Sequence, residues 1–343
     1  LFDGARQIVE FELQQITYTE WLPHLIGGAV SDDWDHDASL SGQVSVEFST
    51  AAFRFGHTLV SSSLDQMNDD GTDGENGGLL DNFFNDAMVQ DHGIDALLRG
   101  QLSHVAQELD AQIVDDLNFF LSTPDGISGF SLAAINIARG YDHGLQNYVA
   151  ARAALIGDID PDALDPSDFS LITDDVAVQE KLAAVYDDVF QVELWVGGLA
   201  EDHVPGTQLG PLFTYIVAEQ FTRTRAADDT FGQLDDTLGA DIIAQVRDSR
   251  FADIIERNTD VDMVQEDVFV ASDRSVAEAE MPDTTWQKDQ IAAQALSLHG
   301  DLRTENGDDT VSLSGGTHLE GSLKTGQGHD NGDGDGKNTP AGA

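Results

Sequence analysis

Along most of the first 270 residues, apolar side chains recur every three or four positions, which is the pattern of amphipathic helices packed against a core. Strand-like alternation of apolar and polar residues is scarce, and acidic, Gly-rich loops separate the apolar segments. The first segment is expected to end before Pro23. The sequence predicts a mainly α fold with helical segments at 5–22, 47–62, 79–90, 104–121, 131–139, 174–190, 208–225 and 239–256.

The composition changes near residue 300. Ten of the last 43 residues are Gly, against 23 of the first 300. Segments 305–313 and 325–330 each partly match a nine-residue repeat in which Asp carboxylates bind Ca²⁺ and an apolar residue packs inside a parallel β-helix. Asn331, Asp333 and Asp335, followed by a glycine, also place oxygen ligands at alternate positions. This composition is explained either by the start of calcium-binding repeats or by an unstructured acidic tail.

These patterns divide the chain into three parts, a helical domain over 1–272, a linker over 273–300 and a Gly/Asp-rich tail over 301–343. Within the helical part, the acidic loop 68–78 resembles a calcium-binding loop. It has no acid at the closing position, which favours an ordinary solvated loop over a calcium site.

The charge balance excludes several classes of partner. The 343 residues include 63 Asp and Glu against 16 Lys and Arg, for a net charge of −47. Nucleic acids and anionic membrane surfaces bind basic faces, so neither is an expected partner. No apolar run approaches the roughly 20 residues of a membrane span. The acid excess fits either a protein kept soluble in high salt or a secreted protein that meets calcium.

The absence of cysteine removes disulfides, thiolate metal sites and cysteine nucleophiles, so metal or redox chemistry depends on His, Asp and Glu. None of the ten histidines has the i, i+4 spacing of a helical zinc site, and neither a G-x-S-x-G elbow nor a phosphate-binding glycine loop occurs. One histidine, His57, lies in the apolar and aromatic segment 51–60, which favours a neutral imidazole.

A neutral imidazole nitrogen is the axial ligand that haem iron takes in many proteins. Gly56 leaves room for a flat macrocycle beside His57, and Arg54 shares the His57 face and could pair with a haem propionate. A histidine satisfied within the core is the alternative interpretation.

A second apolar segment, 135–145, supplies matching partners. A ligating histidine needs an acceptor for its other ring N–H, and the side-chain carbonyl of Asn136 could be that acceptor. Arg139 could be a second propionate partner. The alternatives are a helix-ending role for Asn136 and a surface position for Arg139. Residues 142–144, Asp-His-Gly, predict a turn.

The chain resembles the animal-type haem peroxidases of the peroxidase–cyclooxygenase superfamily. The resemblance extends over about residues 1–270, and its blocks follow the order of the family. They are found at 1–9, 12–18, 21–23, 53–59 (Phe-Arg-Phe-Gly-His-Thr-Leu), 93–100, 136–145, 193–199, 209–212, 220–225, 253–259 and 267–269.

This resemblance implies that His57 is the proximal haem ligand, that Asn136 is its hydrogen-bond partner, and that Arg54 and Arg139 contact the propionates. Tyr141 occupies a position where the family often has arginine. The resemblance also implies haem b as the cofactor, with covalent attachment left open, and Ca²⁺ as a further candidate. The family's distal half, with its distal histidine, catalytic arginine and calcium loop, is expected upstream of Leu1, so the chain is expected to be an incomplete, N-terminally truncated domain.

The expected function is therefore a haem-dependent peroxidase that reduces hydrogen peroxide and oxidises a halide or a small organic donor, in a secreted protein. Two alternatives remain open. One is a fatty-acid dioxygenase of the same superfamily. A radical-forming tyrosine on the helix near the proximal histidine would favour this alternative, but none lies within ten residues of His57. The other is a non-catalytic, secreted calcium-binding surface protein.

Overall fold

The computed structural model describes residues 2–31, 33–83, 85, 87–118, 131–261 and 264–271, together with seven strands between residues 290 and 334. The backbone divides into two compact units, Leu1–Gln66 with Glu75–Ala271, and Met67–Gly74 with Ser272–Ala343. The described part of the first unit is mainly helical, which confirms the predicted fold class. No helix in the described part of the chain combines the length and the apolar composition needed to cross a membrane.

The helices of the first unit are short, and most are joined by irregular segments. Within the described residues they are α1 Phe2–Gln15, α2 Leu22–Ile26, α3 Val46–Thr50, α4 Leu79–Asn82, α5 Ala87–His92, α6 Asp95–Ser103, α7 Asp115–Asn118, α8 Leu132–Asp142, α9 Tyr148–Leu155, α10 Val176–Val185, α11 Leu194–Ala200, α12 Pro211–Ala227, α13 Ala240–Asp248 and α14 Phe251–Asn258. Strands β1 (Ser63–Leu64) and β2 (Gly77–Gly78) pair antiparallel.

The first helical segment is longer than the sequence indicates. A π-helical turn over Ile16–Trp21 joins α1 to α2, so the helical path ends at Ile26 instead of before Pro23. Pro23 lies directly after the π-helical turn, where the N–H of Leu22 bonds the carbonyl of Thr17, so the regular i to i−4 hydrogen bonding that proline would interrupt is already replaced there. The expectation that Pro23 stops the helix was therefore wrong.

Several other predicted helices are broken. The prediction of a helix over 104–121 was wrong for 104–114, where the backbone is irregular after the end of α6. A helix forms at Asp115–Asn118, and residues 119–121 lie outside the described residues. Segment 239–256 is interrupted at Ser249 and Arg250. Segments 47–62 and 79–90 are also divided. Apolar spacing reports which side chains face the core, and an irregular segment can satisfy the same spacing.

The core of the first unit lies around α9, α11 and α12. Tyr148 and Phe213 are fully buried. They approach α11 at Gly197 and Gly198, where an added methyl group would overlap the ring of Tyr148 or of Phe213. These two glycines therefore allow α11 to pack closely between α9 and α12, which fixes the start of α11 near the end of α8.

A buried polar network ties this core together. Both Tyr148 Oη and Arg152 Nη1 donate to Glu201 Oε1, at 2.8 and 3.1 Å, and the backbone N–H of Leu212 donates to Glu201 Oε2 at 2.8 Å. Burial raises the pKa of Glu201 from 4.5 to about 7, against the opposing effect of these hydrogen bonds and of the Arg152 charge. Glu201 thus holds the first turn of α12 through a hydrogen bond, although burial disfavours the ionised form of its carboxylate.

We expect this carboxylate to make the free energy of unfolding fall as the pH rises from 4.5 to about 7. In that window the folded chain keeps a proton that the unfolded chain releases, so folding loses up to about 3 kcal/mol across it. Chemical unfolding of the wild type and of Glu201→Gln at several pH values in constant salt measures this term. The free energy of unfolding should fall less steeply with pH in Glu201→Gln than in the wild type. Equal slopes would contradict a raised pKa for Glu201.

The second unit contains parallel strands. Strands β3 (Gln290–Gln294), β6 (Thr310–Ser314) and β9 (Asn331–Gly334) form one sheet in which Gln290 pairs with Thr310 and Thr310 with Asn331. Strands β4 (Ser297–His299) and β7 (His318–Glu320) pair in parallel, as do β5 (Leu302–Arg303) and β8 (Leu323–Lys324). The pairing therefore repeats every 20 or 21 residues, as in a coiled parallel sheet.

The calcium predictions for this region stay predictions. Residues 305–309, 325–330 and 335–336 lie outside the described residues, as does most of the proposed linker 273–300. Across the parts of the chain that are described, no group of three or more His, Asp or Glu side chains is arranged to hold a metal ion. In loop 68–78, the carboxylate of Asp70 accepts hydrogen bonds from the backbone and the hydroxyl of Thr72.

Candidate functional site

His57 ends a short 3₁₀ helix, Ala52–His57, that follows α3. The hydroxyl of Ser45 caps α3 by accepting from the N–H of Phe48 at 3.2 Å, and the helix changes type at Ala51. Ala52 and Phe55 face the core. Because a 3₁₀ helix has three residues per turn, Arg54 and His57 lie directly above one another on its other side. The sequence placed these residues correctly on one face, although it predicted an α-helix.

The second half of the site is on α8. The hydroxyl of Ser131 caps this helix by accepting from the N–H of Ala134 at 3.1 Å. Asn136 is fully buried one turn into the helix, whereas Arg139 is exposed. The helix ends at Asp142, and Gly144 then adopts a φ of +66° that favours glycine, so the predicted turn is present.

The structure brings Arg54, His57 and Asn136 into direct contact. Nδ2 of Asn136 lies 2.8 Å from Nδ1 of His57. Nη1 of Arg54 donates to Oδ1 of Asn136 at 3.2 Å, and Nε of Arg54 donates to the carbonyl of Ser49 at 3.1 Å. The buried amide of Asn136 therefore connects the imidazole to the guanidinium. The Ser49 carbonyl, which holds Arg54, was not predicted because the sequence carries no signal for a backbone acceptor.

The orientation of the Asn136 amide differs from the sequence-based expectation. The carbonyl oxygen was expected to face His57, but here it faces Arg54, and the NH₂ group donates to Nδ1 of His57. Arg54 is the reason, since a guanidinium carries only donors and takes the sole acceptor of the amide. In this arrangement the neutral imidazole carries its proton on Nε2.

The electrostatic environment favours the neutral form of His57. Burial lowers the pKa of His57, the nearby charge of Arg54 lowers it further, and the hydrogen bond to Asn136 opposes both effects. Within the described part of the chain, Nε2 of His57 has no hydrogen-bond partner. A methyl group on the neighbouring Gly56 would meet no atom within 4 Å. A nitrogen ligand beside open space is what a planar metal complex requires.

Two arginines, Arg54 and Arg139, lie near one another at this site. Burial lowers the pKa of Arg54, and Arg139 is close enough for its charge to lower that pKa further. Neither guanidinium forms an ion pair with a carboxylate of the described residues. In a chain with 63 acidic residues, two adjacent arginines without such partners indicate a site for an external anion. The residues present thus fit an iron porphyrin with its propionates.

Tyr141 does not join this group. Its side chain is 68% exposed, and its hydroxyl donates to Oε1 of Glu193 at 2.6 Å. The other oxygen of Glu193 accepts from the hydroxyl of Tyr186 at 2.5 Å. The sequence did not predict the contact of Tyr141 with Glu193, because 52 residues separate the two in the chain. A cavity of about 390 Å³ lies between them and Asn136.

Comparison with known proteins gives a consistent result. The family model for animal haem peroxidase matches residues 1–269. Peroxinectin A from Dictyostelium discoideum is 33% identical over 271 residues, which are 78% of this chain and 49% of that protein. Peroxidasin from Drosophila melanogaster is 30% identical over 79% of this chain and 18% of its own length.

Solved structures give the same picture of the fold. Peroxidase A from Dictyostelium discoideum superposes with a TM-score of 0.69 at 32% identity and covers 78% of this chain and 50% of that one. A fatty acid alpha-dioxygenase from Oryza sativa has a TM-score of 0.60 at 16% identity over 74% and 49% of the two chains, which shows a shared fold only. The chain therefore spans about half the length of these similar proteins, and far less of peroxidasin.

Proposed function

The chain belongs to the animal haem peroxidase family, and on that premise we propose that it forms the haem-ligating side of an enzyme that reduces hydrogen peroxide and oxidises a halide or an organic donor. The observation that carries the proposal is a neutral His57 with Arg54 beside it and Arg139 near Arg54. Among the described residues, Nε2 of His57 has no hydrogen-bond partner and neither arginine forms an ion pair with a carboxylate. These are the residues that an iron porphyrin with two carboxylates needs.

Each side chain then has a stated task. His57 binds the haem iron through Nε2, Asn136 sets the orientation of the imidazole ring, and Arg54 and Arg139 hold the propionates. When bound, haem supplies the iron that reacts with peroxide and accepts electrons from the donor. The protein's contribution on this side is to position the cofactor and to tune its reduction potential through the imidazole.

Binding requires a rearrangement at Asn136. Coordination uses the lone pair on Nε2 of His57, so the ring proton must move to Nδ1, which then needs an acceptor. A half-turn of the Asn136 amide supplies its carbonyl oxygen to that proton. Arg54 leaves the carbonyl free for this when it turns to a propionate, because an ion pair with a carboxylate is stronger than a hydrogen bond to an amide.

The activity of the whole protein is part of the proposal, because the chain covers about half of the most similar relatives. The proton-transferring base and the donor site of the reaction are not assigned to any residue of this chain. The proposed cofactor is haem b, with covalent attachment left open. Calcium binding by the Gly/Asp-rich tail and secretion likewise remain proposals from the sequence.

We expect Arg54→Gln and Arg139→Gln each to weaken the affinity for haem by about three- to tenfold, because each removes one charge-assisted contact in a partly hydrated site. Absorbance titration of the chain with haem measures the dissociation constants. The matched probe is haem dimethyl ester, whose esters carry no charge and which should bind wild type and variants alike. Arg6→Gln, which alters an exposed i, i+4 pair with Glu10, is the control variant.

An equal loss of affinity for haem and for the ester would show that the arginines act only on the structure of the site. Peroxide consumption that depends on a donor, measured on the haem-loaded protein, tests the activity itself. A non-catalytic surface protein would show neither a Soret band with haem nor peroxide consumption.

A further inference from the structure

Two tyrosines share one carboxylate at the end of α8. The hydroxyls of Tyr141 and Tyr186 donate to Oε1 and Oε2 of Glu193 at 2.6 and 2.5 Å. The backbone of Glu193 is held in place by an antiparallel bridge with Asn147 immediately before α11. These short contacts are charge-assisted hydrogen bonds, in which the carboxylate is already placed to receive a phenolic proton.

The pair lies beside the proposed haem ligand. Tyr141 follows Asn136 by five residues on α8, which is about 7.5 Å along the helix axis. Asn136, Tyr141, Tyr186 and Glu193 all line the same cavity, of about 390 Å³. Asn136 contacts His57 directly. The pair therefore shares a cavity with the partner of His57, and Tyr141 also reaches solvent.

The resting state of the pair keeps both phenols protonated. The hydrogen bond to Glu193 raises the pKa of Tyr141, and burial followed by the same carboxylate raises the pKa of Tyr186. An intact phenol gives up an electron readily only when its proton can leave in the same event. The hydrogen bond to Glu193 provides that path, whereas an exposed tyrosine such as Tyr215 has no acceptor among the described residues.

We propose that Tyr141, with Glu193 as its proton acceptor and Tyr186 as its partner, is a surface oxidation site for phenolic donors too large to reach a buried haem. The oxidant is the peroxide-oxidised haem, so this part rests on the proposed function. Tyr141 loses one electron to that oxidant, its O–H bond breaks, and the proton passes to Glu193 Oε1. A phenol at the surface then gives one electron to the tyrosyl radical and one proton to solvent, while Glu193 returns its proton to Tyr141.

The tyrosine pair can be tested without haem. The apo chain is illuminated with ruthenium tris(bipyridine) and persulfate, which together oxidise tyrosine, in the presence of a phenolic trap, and labelled tyrosines are quantified by mass spectrometry. Tyr141 and Tyr215 are 68% and 43% exposed, so accessibility alone predicts similar labelling. We expect Tyr141 to be labelled at least about tenfold more than Tyr215, the factor that corresponds to one charge-assisted hydrogen bond.

Glu193→Gln removes the proton acceptor and should bring the ratio of Tyr141 to Tyr215 labelling close to the ratio of their exposures. The wild-type ratio needs no variant, so the proposal stays testable if Glu193→Gln does not fold. A wild-type ratio near the exposure ratio, or one that Glu193→Gln leaves high, would overturn the proposal.

The link to haem is measured separately. In the haem-loaded protein with peroxide, two oxidation rates are compared, that of a polymer-tethered phenol and that of the same phenol free in solution. Tyr141→Phe should lower the ratio of the tethered rate to the free rate by about tenfold. Tyr215→Phe, the control, should leave that ratio unchanged. Freeze-quenched electron paramagnetic resonance should show a tyrosyl signal that Tyr141→Phe removes. If no variant and no donor supports peroxide consumption, the proposed function fails, and the apo labelling ratio still decides on the pair. An unchanged rate ratio in Tyr141→Phe would overturn the proposed site.

Discussion

Replacing His57 with Ala is expected to abolish axial ligation of haem iron and with it the Soret band of the six- or five-coordinate imidazole complex. Among the described residues, the neighbours on the same face are Arg54 and the amide of Asn136, and neither supplies a nitrogen lone pair for iron. The absorbance spectrum of the chain with added haem measures the effect. Free imidazole should restore the band, because the substitution leaves a space of the matching shape.

His143→Ala is the matched control for this experiment. His143 is exposed in the turn that follows α8. Its backbone N–H donates to the carbonyl of Arg139, but its side chain forms no hydrogen bond or ion pair with a described residue. Its removal should leave the haem spectrum unchanged. An unaltered Soret band in His57→Ala, or a band lost equally in His143→Ala, would remove His57 from the proposed role and with it the main support for a haem site on this chain.

Substitutions at Asn136 are expected to have the next largest effect. Asn136→Leu removes the partner of Nδ1 in a fully buried position and should weaken haem binding by about 10- to 100-fold, as loss of the partner of a metal-bound histidine generally does. The dissociation constant from absorbance titration measures this loss.

Asn136→Asp should lower the reduction potential of bound haem, because a carboxylate gives the imidazole more anionic character and stabilises ferric iron. A tenfold preference for the ferric state corresponds to about 59 mV, and a fall on that order is expected in spectroelectrochemistry. Asn147→Asp adds the same charge at the N-cap of α9, where the side chain accepts from the N–H of Ala150 and has no hydrogen bond to His57, and is the control. A potential that is unchanged or raised in Asn136→Asp would exclude Asn136 as the partner of the iron ligand.

Much of this site could be predicted from local sequence. Arg54 and His57 are three residues apart, so their shared face follows from helical spacing, whether the helix is α or 3₁₀. Asn136 and Arg139 were proposed as their partners from the apolar segment 135–145, and the resemblance to the family then implied the same roles. The structure places the Asn136 amide against His57 as expected, yet its carbonyl faces Arg54. The orientation of the amide depends on which donor takes its carbonyl oxygen, and Arg54, which takes it, is 82 residues away in the sequence.

Other features depended on contacts that no local pattern contains. The link between Tyr141 and Glu193 spans 52 residues, and nothing near either residue indicates it. The irregular stretch at 104–114 satisfies helical spacing while its backbone makes other contacts, such as the N–H of Gln107 to the carbonyl of Leu59. In both cases the decisive partner comes from a distant part of the chain.

The amino-acid sequence by itself determined that the first 270 residues form a mainly helical unit, that thiolate chemistry is excluded, and that one histidine lies in an apolar, aromatic segment beside an arginine. Those properties follow from composition and spacing, which act over a few residues. Only the tertiary structure decided that Arg54 and Arg139 lie near one another with no carboxylate partner among the described residues, how the amide of Asn136 is shared, and where two tyrosines meet one carboxylate. Each of these depends on which side chains burial brings together, and burial is a property of the whole fold.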